Sequence, residues 1–128
     1  MTEIKQEALY TEEDEWIMVD GEEATVGITD YAQDSLSDIV YLELPGEGDT
    51  FQMGDAFGVV ESVKAAADLM MPVAGEVLAV NEDLMDEPEG INSDPYGSWL
   101  VKIKVSDPAQ LDQLMDANAY QEYCDERE

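Results

Sequence analysis

Gly58-Val59-Val60-Glu61-Ser62-Val63-Lys64-Ala65-Ala66-Ala67-Asp68-Leu69-Met70-Met71-Pro72 is the stretch on which the reading of this chain turns. The β-formers Val59, Val60 and Val63 precede Lys64, and three alanines followed by Leu69, Met70 and Met71 come after it. Two apolar runs meeting at a short break read as a β-hairpin with Lys64 near its tip. Lys64 is also the only basic residue between Lys5 and Lys102, in a chain with 32 acidic side chains. A tip lysine has an ordinary explanation, as a solubilising side chain or a gatekeeper beside a hydrophobic strand. The other explanation is an amine held out where a second protein can reach it.

Composition bounds the alternatives. At 128 residues with 45% apolar side chains, the chain reads as one domain with a real core. No run of 18 apolar residues occurs, so no membrane span is expected. The acidic start Met1-Thr2-Glu3-Ile4-Lys5-Gln6-Glu7 has no basic segment and no apolar stretch, which predicts no secretory or mitochondrial leader. The single cysteine, Cys124, cannot form an internal disulfide, which fits a reducing cytoplasm. With no histidine in the chain, a Cys-His nucleophile, a Ser-His-Asp triad and any histidine-based metal site are excluded. The formal net charge of −27 argues against nucleic-acid binding through a basic face and against attraction to anionic lipid. It leaves two readings: steering towards basic partners, or life in a salt-rich cytoplasm that screens self-repulsion. Five basic residues against 32 acidic ones favour the second.

In chain order, residues 1–9 read as a frayed lead-in. Trp16-Ile17-Met18-Val19 and Glu23-Ala24-Thr25-Val26-Gly27-Ile28 read as strands joined by a type I′ turn at Asp20-Gly21. Thr29 is a natural N-cap for a short helix over 29–36. Ile39 to Leu44 reads as a strand stopped by Pro45-Gly46. Turns flank Phe51, and Ala56 to Glu61 leads into the lysine hairpin. Ala74 to Asn81 is the next strand. Gly54-Asp55 and Gly75-Glu76 each open a β run, an echo that hints at two strand pairs about a pseudo-twofold axis. Glu82 to Ser98 reads as loop. Its acidic run Asp83 to Glu87 lacks the spacing and glycine of a calcium loop, so no metal site is expected there or elsewhere. Trp99 to Val105 alternates, with Trp99, Val101, Ile103 and Val105 on one face and Lys102 and Lys104 on the other. Asp107-Pro108 opens a helix carrying Leu111, Leu114 and Met115. Asp116 caps a last helix containing Ala119, Tyr120, Tyr123 and Cys124; Met115, Tyr120 and Cys124 are packing residues.

The hairpin resembles the lipoyl-lysine hairpin of the glycine cleavage system H-protein family, which carries a Glu-Ser-Val-Lys-Ala core followed by small residues and a Met-Pro. Here that core is Glu61-Ser62-Val63-Lys64-Ala65. Val26-Gly27-Ile28-Thr29-Asp30-Tyr31-Ala32, Asp38-Ile39-Val40-Tyr41-Leu42-Glu43-Leu44-Pro45, Asp94-Pro95-Tyr96-Gly97 and Trp99-Leu100-Val101-Lys102-Ile103 resemble family segments in the same order. There are two departures. Asp14 stands where the family normally has a histidine before Glu-Trp, so no role of that histidine carries over. The Tyr96–Trp99 connection is also one residue shorter. The resemblance implies a mainly β barrel-sandwich hybrid of the lipoyl and biotinyl type. It would be a single carrier domain over 1–128, with a β core over about 10–105, an attachment hairpin over about 56–72 and C-terminal helices over about 107–126.

It also implies a function. Lys64 matches the lysine that carries (R)-lipoate in amide linkage; Glu61, Val63, Ala65 and Asp68 flank it, where they help lipoylating enzymes recognise the hairpin. In that family the arm takes an aminomethyl group from glycine at a pyridoxal-phosphate-dependent glycine decarboxylase. It delivers the group to a tetrahydrofolate-dependent aminomethyltransferase and is reoxidised by dihydrolipoyl dehydrogenase. The residues themselves favour a carrier over an enzyme. A Schiff-base lysine needs burial or a neighbouring cation, and Lys64 has Glu61 and Asp68 nearby instead. Biotin carriers usually show Met-Lys-Met, and lipoyl domains of 2-oxoacid dehydrogenases more often show Asp-Lys-Ala without C-terminal helices. An H-like protein that only relays lipoyl groups, or an acidic interaction module that carries none, stays open.

Overall fold

The computed structural model describes residues 3–127. Among these residues, nine strands form two antiparallel sheets. The strands are β1 (Leu9–Tyr10), β2 (Glu15–Asp20), β3 (Glu23–Ile28), β4 (Ile39–Glu43), β5 (Thr50–Phe51), β6 (Ala56–Ser62), β7 (Ala66–Met70), β8 (Gly75–Val80) and β9 (Val101–Val105). One sheet has the order β1-β2-β3-β9-β8-β5, the other β4-β6-β7. Their inner faces share one core, in which Ile17, Val26, Val77 and Ile103 from the larger sheet meet Ile39, Leu42, Val60 and Leu69 from the smaller. This is the barrel-sandwich hybrid. β9 shows the cause most simply: Val101 and Ile103 are buried while Lys102 and Lys104 are exposed, because successive side chains point to opposite faces.

The β2–β3 turn is centred on Gly21-Glu22, with Asp20 opposite Glu23. Gly21 has φ +67° and Glu22 is not among the positive-φ residues. Positive φ at the first central residue alone marks type II′, not the expected type I′. The echo between the segments opening at Gly54 and Gly75 becomes β6 and β8, each an interior strand of its own sheet. Helix α1 (Asp30–Leu36) starts where expected, with Thr29 Oγ1 accepting from the Ala32 amide at 3.2 Å.

Three further expectations need correction. Glu82–Ser98 is not a plain loop: α2 (Glu82–Asp86) and α3 (Gly90–Ser93) bury Leu84 and Ile91, and Tyr96 is buried as well. One turn of helix is too short to show a period, so tertiary packing sets these pieces. Asn92 holds α3 in place, accepting from the Ile39 amide at 2.9 Å and donating to the Ser37 carbonyl at 2.8 Å. The lead-in is not frayed where it is described: β1 pairs with β2, and Ala8 is buried. Met1 and Thr2 lie outside the described residues. After Asp107, residues Pro108–Gln113 form a 3₁₀ helix, with the Asp107 side chain accepting from the Ala109 amide. Leu111 and Leu114 still reach the core.

The final helix, α4 (Ala117–Arg127), is capped by Asp116, whose Oδ1 accepts from the Ala119 amide at 2.8 Å. It closes a second cluster in which Tyr10 and Tyr120 stack with ring centroids 4.4 Å apart. No described helix is long and apolar enough to cross a membrane.

Candidate functional site

Lys64 sits at the tip of the β6–β7 hairpin, exposed, and forms no ion pair among the described residues. The tip is small and fully bonded. The Ser62 amide donates to the Ala65 carbonyl at 2.7 Å, which closes a turn with Val63 and Lys64 at its centre. Ser62 Oγ accepts from the amides of Lys64 at 3.2 Å and Ala65 at 3.0 Å. The Val63 amide donates to the Asp38 carbonyl at 3.0 Å, tying the tip to the segment before β4. Neither central residue has positive φ, and serine at the first position suits such a turn. All the amides of the tip have partners, so the backbone is held while the Lys64 side chain stays free.

The other sequence-predicted residues surround this lysine. Val63 is 67% exposed and Ala65 is exposed. Glu61 lies opposite Ala66 and Tyr41, and Asp68 lies opposite Val59. Two residues apart in register, Glu61 and Asp68 share the outer face of the small sheet, one step diagonal from each other. The structure brings all five residues onto one hairpin. Gly58 fixes its base, because a Cβ there would collide with the Glu43 carbonyl of β4.

The sequence reading missed a second feature. A cleft of about 350 Å³ runs beside the lower end of β7, walled by Met70, Met71, Pro72, Met53, Leu114 and Met115, with Thr11, Glu12, Glu13 and Glu15 along one side. Glu15 is only 2% exposed. Its Oε1 accepts from Thr11 Oγ1 at 2.7 Å and its Oε2 from the Met70 amide at 3.1 Å. Burial pushes its carboxyl up to about 8; the two hydrogen bonds pull the other way, and the charges of Glu13 and Asp14 add to the rise. Desolvation therefore wins over two good donors. In a chain this acidic, a glutamate before a tryptophan reads as one more surface charge. Its place opposite the Met70 amide comes from a contact 55 residues away.

Asp14 also acquires a structural role. It has φ +68°, accepts a hydrogen bond from the Tyr120 hydroxyl at 2.9 Å, and pairs with Arg127 through Nη2 to Oδ1 at 2.6 Å and Nη1 to Oδ2 at 3.1 Å.

Comparison with known proteins shows the same likeness along the whole chain. The family model described as "Glycine cleavage H-protein" matches residues 8–127. A glycine cleavage system H protein of Carboxydothermus hydrogenoformans is 49% identical over 127 residues, covering 98% of each chain. One from Burkholderia ambifaria is 52% identical over 126 residues, covering 98% of this chain and 100% of the other. The crystal structure of a glycine cleavage system H protein from Mycobacterium marinum superposes with a TM-score of 0.82 at 34% identity, covering 97% of this chain and 98% of that one. With sequence and architecture matched from Ala8 to the end of α4, the chain belongs to the glycine cleavage H-protein family.

Proposed function

We propose that this protein is a lipoyl-bearing carrier of the glycine cleavage system, with Lys64 as the attachment residue. The observation that carries the reading is the tip itself: an exposed, unpaired amine on a turn whose every amide is satisfied. Such a lysine fits amide linkage to a carboxylic acid arm. Its ammonium need not be pulled from a partner, and the small side chains of Ala65, Ala66 and Ala67 leave room for a modifying enzyme to close over it. When bound, lipoate supplies a strained disulfide that opens to accept a one-carbon amine and is later reoxidised from the dithiol. The protein's own part is display and shelter.

Display belongs to Ser62, Asp38 and Gly58, which fix the hairpin. Glu61 and Asp68 present two carboxylates beside Lys64, and basic side chains on a lipoylating enzyme would read them. Shelter belongs to the cleft. An aminomethyl cargo ends in a cation, and Glu15 is the buried carboxyl that such a cation would meet. Thr11 and the Met70 amide hold that carboxyl in place, and the methionines exclude water. A cation beside Glu15 favours its ionised form, so docking would release a proton. The partners of this reading are the glycine decarboxylase, the aminomethyltransferase, dihydrolipoyl dehydrogenase and the lipoylating enzymes, and in it the catalysis belongs to them. A salt-rich cytoplasm is the proposed location.

The test is intact mass of the protein from its native host, with a Lys64→Ala variant alongside. A lipoyl increment that disappears in the variant supports the attachment site, and an increment that persists overturns it. Modified protein that sustains glycine–bicarbonate exchange with the decarboxylase supports the full shuttle. Modified protein that fails to do so supports a lipoyl relay.

A further inference from the structure

Arg127 is the one arginine of the chain, and its surroundings are unusually specific. Its guanidinium lies 4.0 Å from the ring centroid of Tyr31 and 4.0 Å from that of Tyr123. From there it grips both oxygens of Asp14. Two more bonds run from α4 to the same turn: Tyr120 hydroxyl to Asp14 Oδ1 at 2.9 Å, and Tyr123 hydroxyl to the Glu12 carbonyl at 3.0 Å. The turn they hold carries the acidic side of the cleft, Glu12, Glu13 and Glu15, with Asp14 between them in a left-handed conformation unfavourable to a residue with a side chain. The neighbouring acids Glu12 and Glu13 repel each other beside the buried Glu15, and a strained link invites the turn to relax outward.

We propose that Arg127 is a positioning residue for the cleft: by clamping Asp14 from between two tyrosine rings, it holds the turn from Thr11 to Glu15 in the conformation that aims Glu15 inward. The inference rests on reading the cleft as the resting place of a cationic cargo. The physics favours a firm clamp. A bidentate guanidinium–carboxylate pair is shorter and stronger than a single contact. The two rings add cation–π attraction and shield one side of the pair from water. Hydrogen bonding to Asp14 raises the guanidinium's hold on its proton, so Arg127 stays charged. Lysine is a poor substitute, because a point charge cannot bridge both oxygens or stack between rings.

The experiment uses the full chain and the variants Arg127→Gln and Arg127→Lys, each in unlipoylated and loaded form. In the unlipoylated form, amide hydrogen exchange is followed residue by residue. Arg127→Gln is expected to speed exchange at Glu13 to Trp16 by about tenfold, with β6 and β7 amides unchanged, and Arg127→Lys to restore little of the protection. Uniform acceleration over the whole chain, or none in the turn, overturns the proposal. In the loaded form, formaldehyde released by water in the absence of the transferase is expected to appear about threefold faster in Arg127→Gln. If the turn loosens while the release rate stays put, the link from Arg127 to the cargo is wrong. The carrier reading is then judged separately, by the Lys64 mass increment.

Discussion

Glu15 is a buried carboxyl beside the Met70 amide, and burial sets its titration. Its carboxyl ionises near 4.5 in the unfolded chain and near 8 in the folded one. Below 4.5 both states hold the proton and the group has no effect on the slope. Between 4.5 and 8 the folded state holds a proton that the unfolded state has lost, so this group makes stability fall as pH rises. Above 8 the loss is complete. Each pH unit in the window corresponds to about 1.4 kcal/mol at most. Glu15→Gln keeps the shape and one acceptor oxygen for the Met70 amide, while its NH2 faces Thr11 Oγ1, and it removes the titration. Urea unfolding of wild type and variant across pH 4 to 9 is expected to show the variant gaining relative stability with rising pH, by a few kcal/mol in total. Parallel curves would mean that Glu15 is ionised in the folded protein and that no proton is released when a cation docks.

At the scale of elements, the long alternating strands were readable and the short ones were not. β2, β3, β6, β8 and β9 each span five to seven residues with an inward set of apolar side chains. β1 and β5 have two residues each, too few to show an alternation, and exist because β2 and β8 offer them partners. The one-turn helices α2 and α3 are likewise set by the buried Leu84 and Ile91 rather than by local propensity. Lys64 is legible as the sole cation in almost a hundred residues, whereas Glu15 is one acid among 32 and shows no contrast. The hairpin is legible as a hairpin, but the part of Ser62 is not, because its bonds to the Lys64 and Ala65 amides exist only in the folded turn. Those bonds make a prediction. Ser62→Ala removes the acceptor for two tip amides, worth about 1 kcal/mol locally. Exchange at Lys64 and Ala65 is expected to rise by about fivefold while β6 keeps its protection. Lipoylation of the variant by a lipoate ligase is expected to slow by several-fold at unchanged thermal stability. Lipoylation at the wild-type rate, with the tip measurably looser, would show that the modifying enzyme reshapes the turn and that its rigidity serves a later partner.

Across the whole molecule the dominant fact is a net charge of −27 with one ion pair among the described residues, Arg127 with Asp14. The other cations are spread thin. Lys104 lies between Glu23 and Glu76 in the register of the larger sheet, and Lys102 lies beside it over the Trp99 ring. Lys64 sits at the tip, so the hairpin face is acidic except for that one lysine. Two accounts of this surface make opposite salt predictions. If it steers basic partners, salt weakens association without altering the fold. If it is tolerated because the surroundings are salty, salt stabilises the fold itself. Charges spaced about 10 Å apart feel each other fully in dilute buffer, where the Debye length exceeds that spacing, and hardly at all at 1 M, where it is about 3 Å. Between 0.05 and 1 M KCl at pH 7, the melting temperature is expected to rise by about 10 °C, corresponding to a few kcal/mol for a chain of this size. The shape of the rise identifies the cause. Screening gives most of the gain below about 0.5 M and then flattens, whereas strengthened apolar burial grows steadily with salt. A melting temperature that is flat from 0.05 M upward would remove the salt-adaptation account and leave the acidic surface to its partners, whose association should then weaken steeply over the same range.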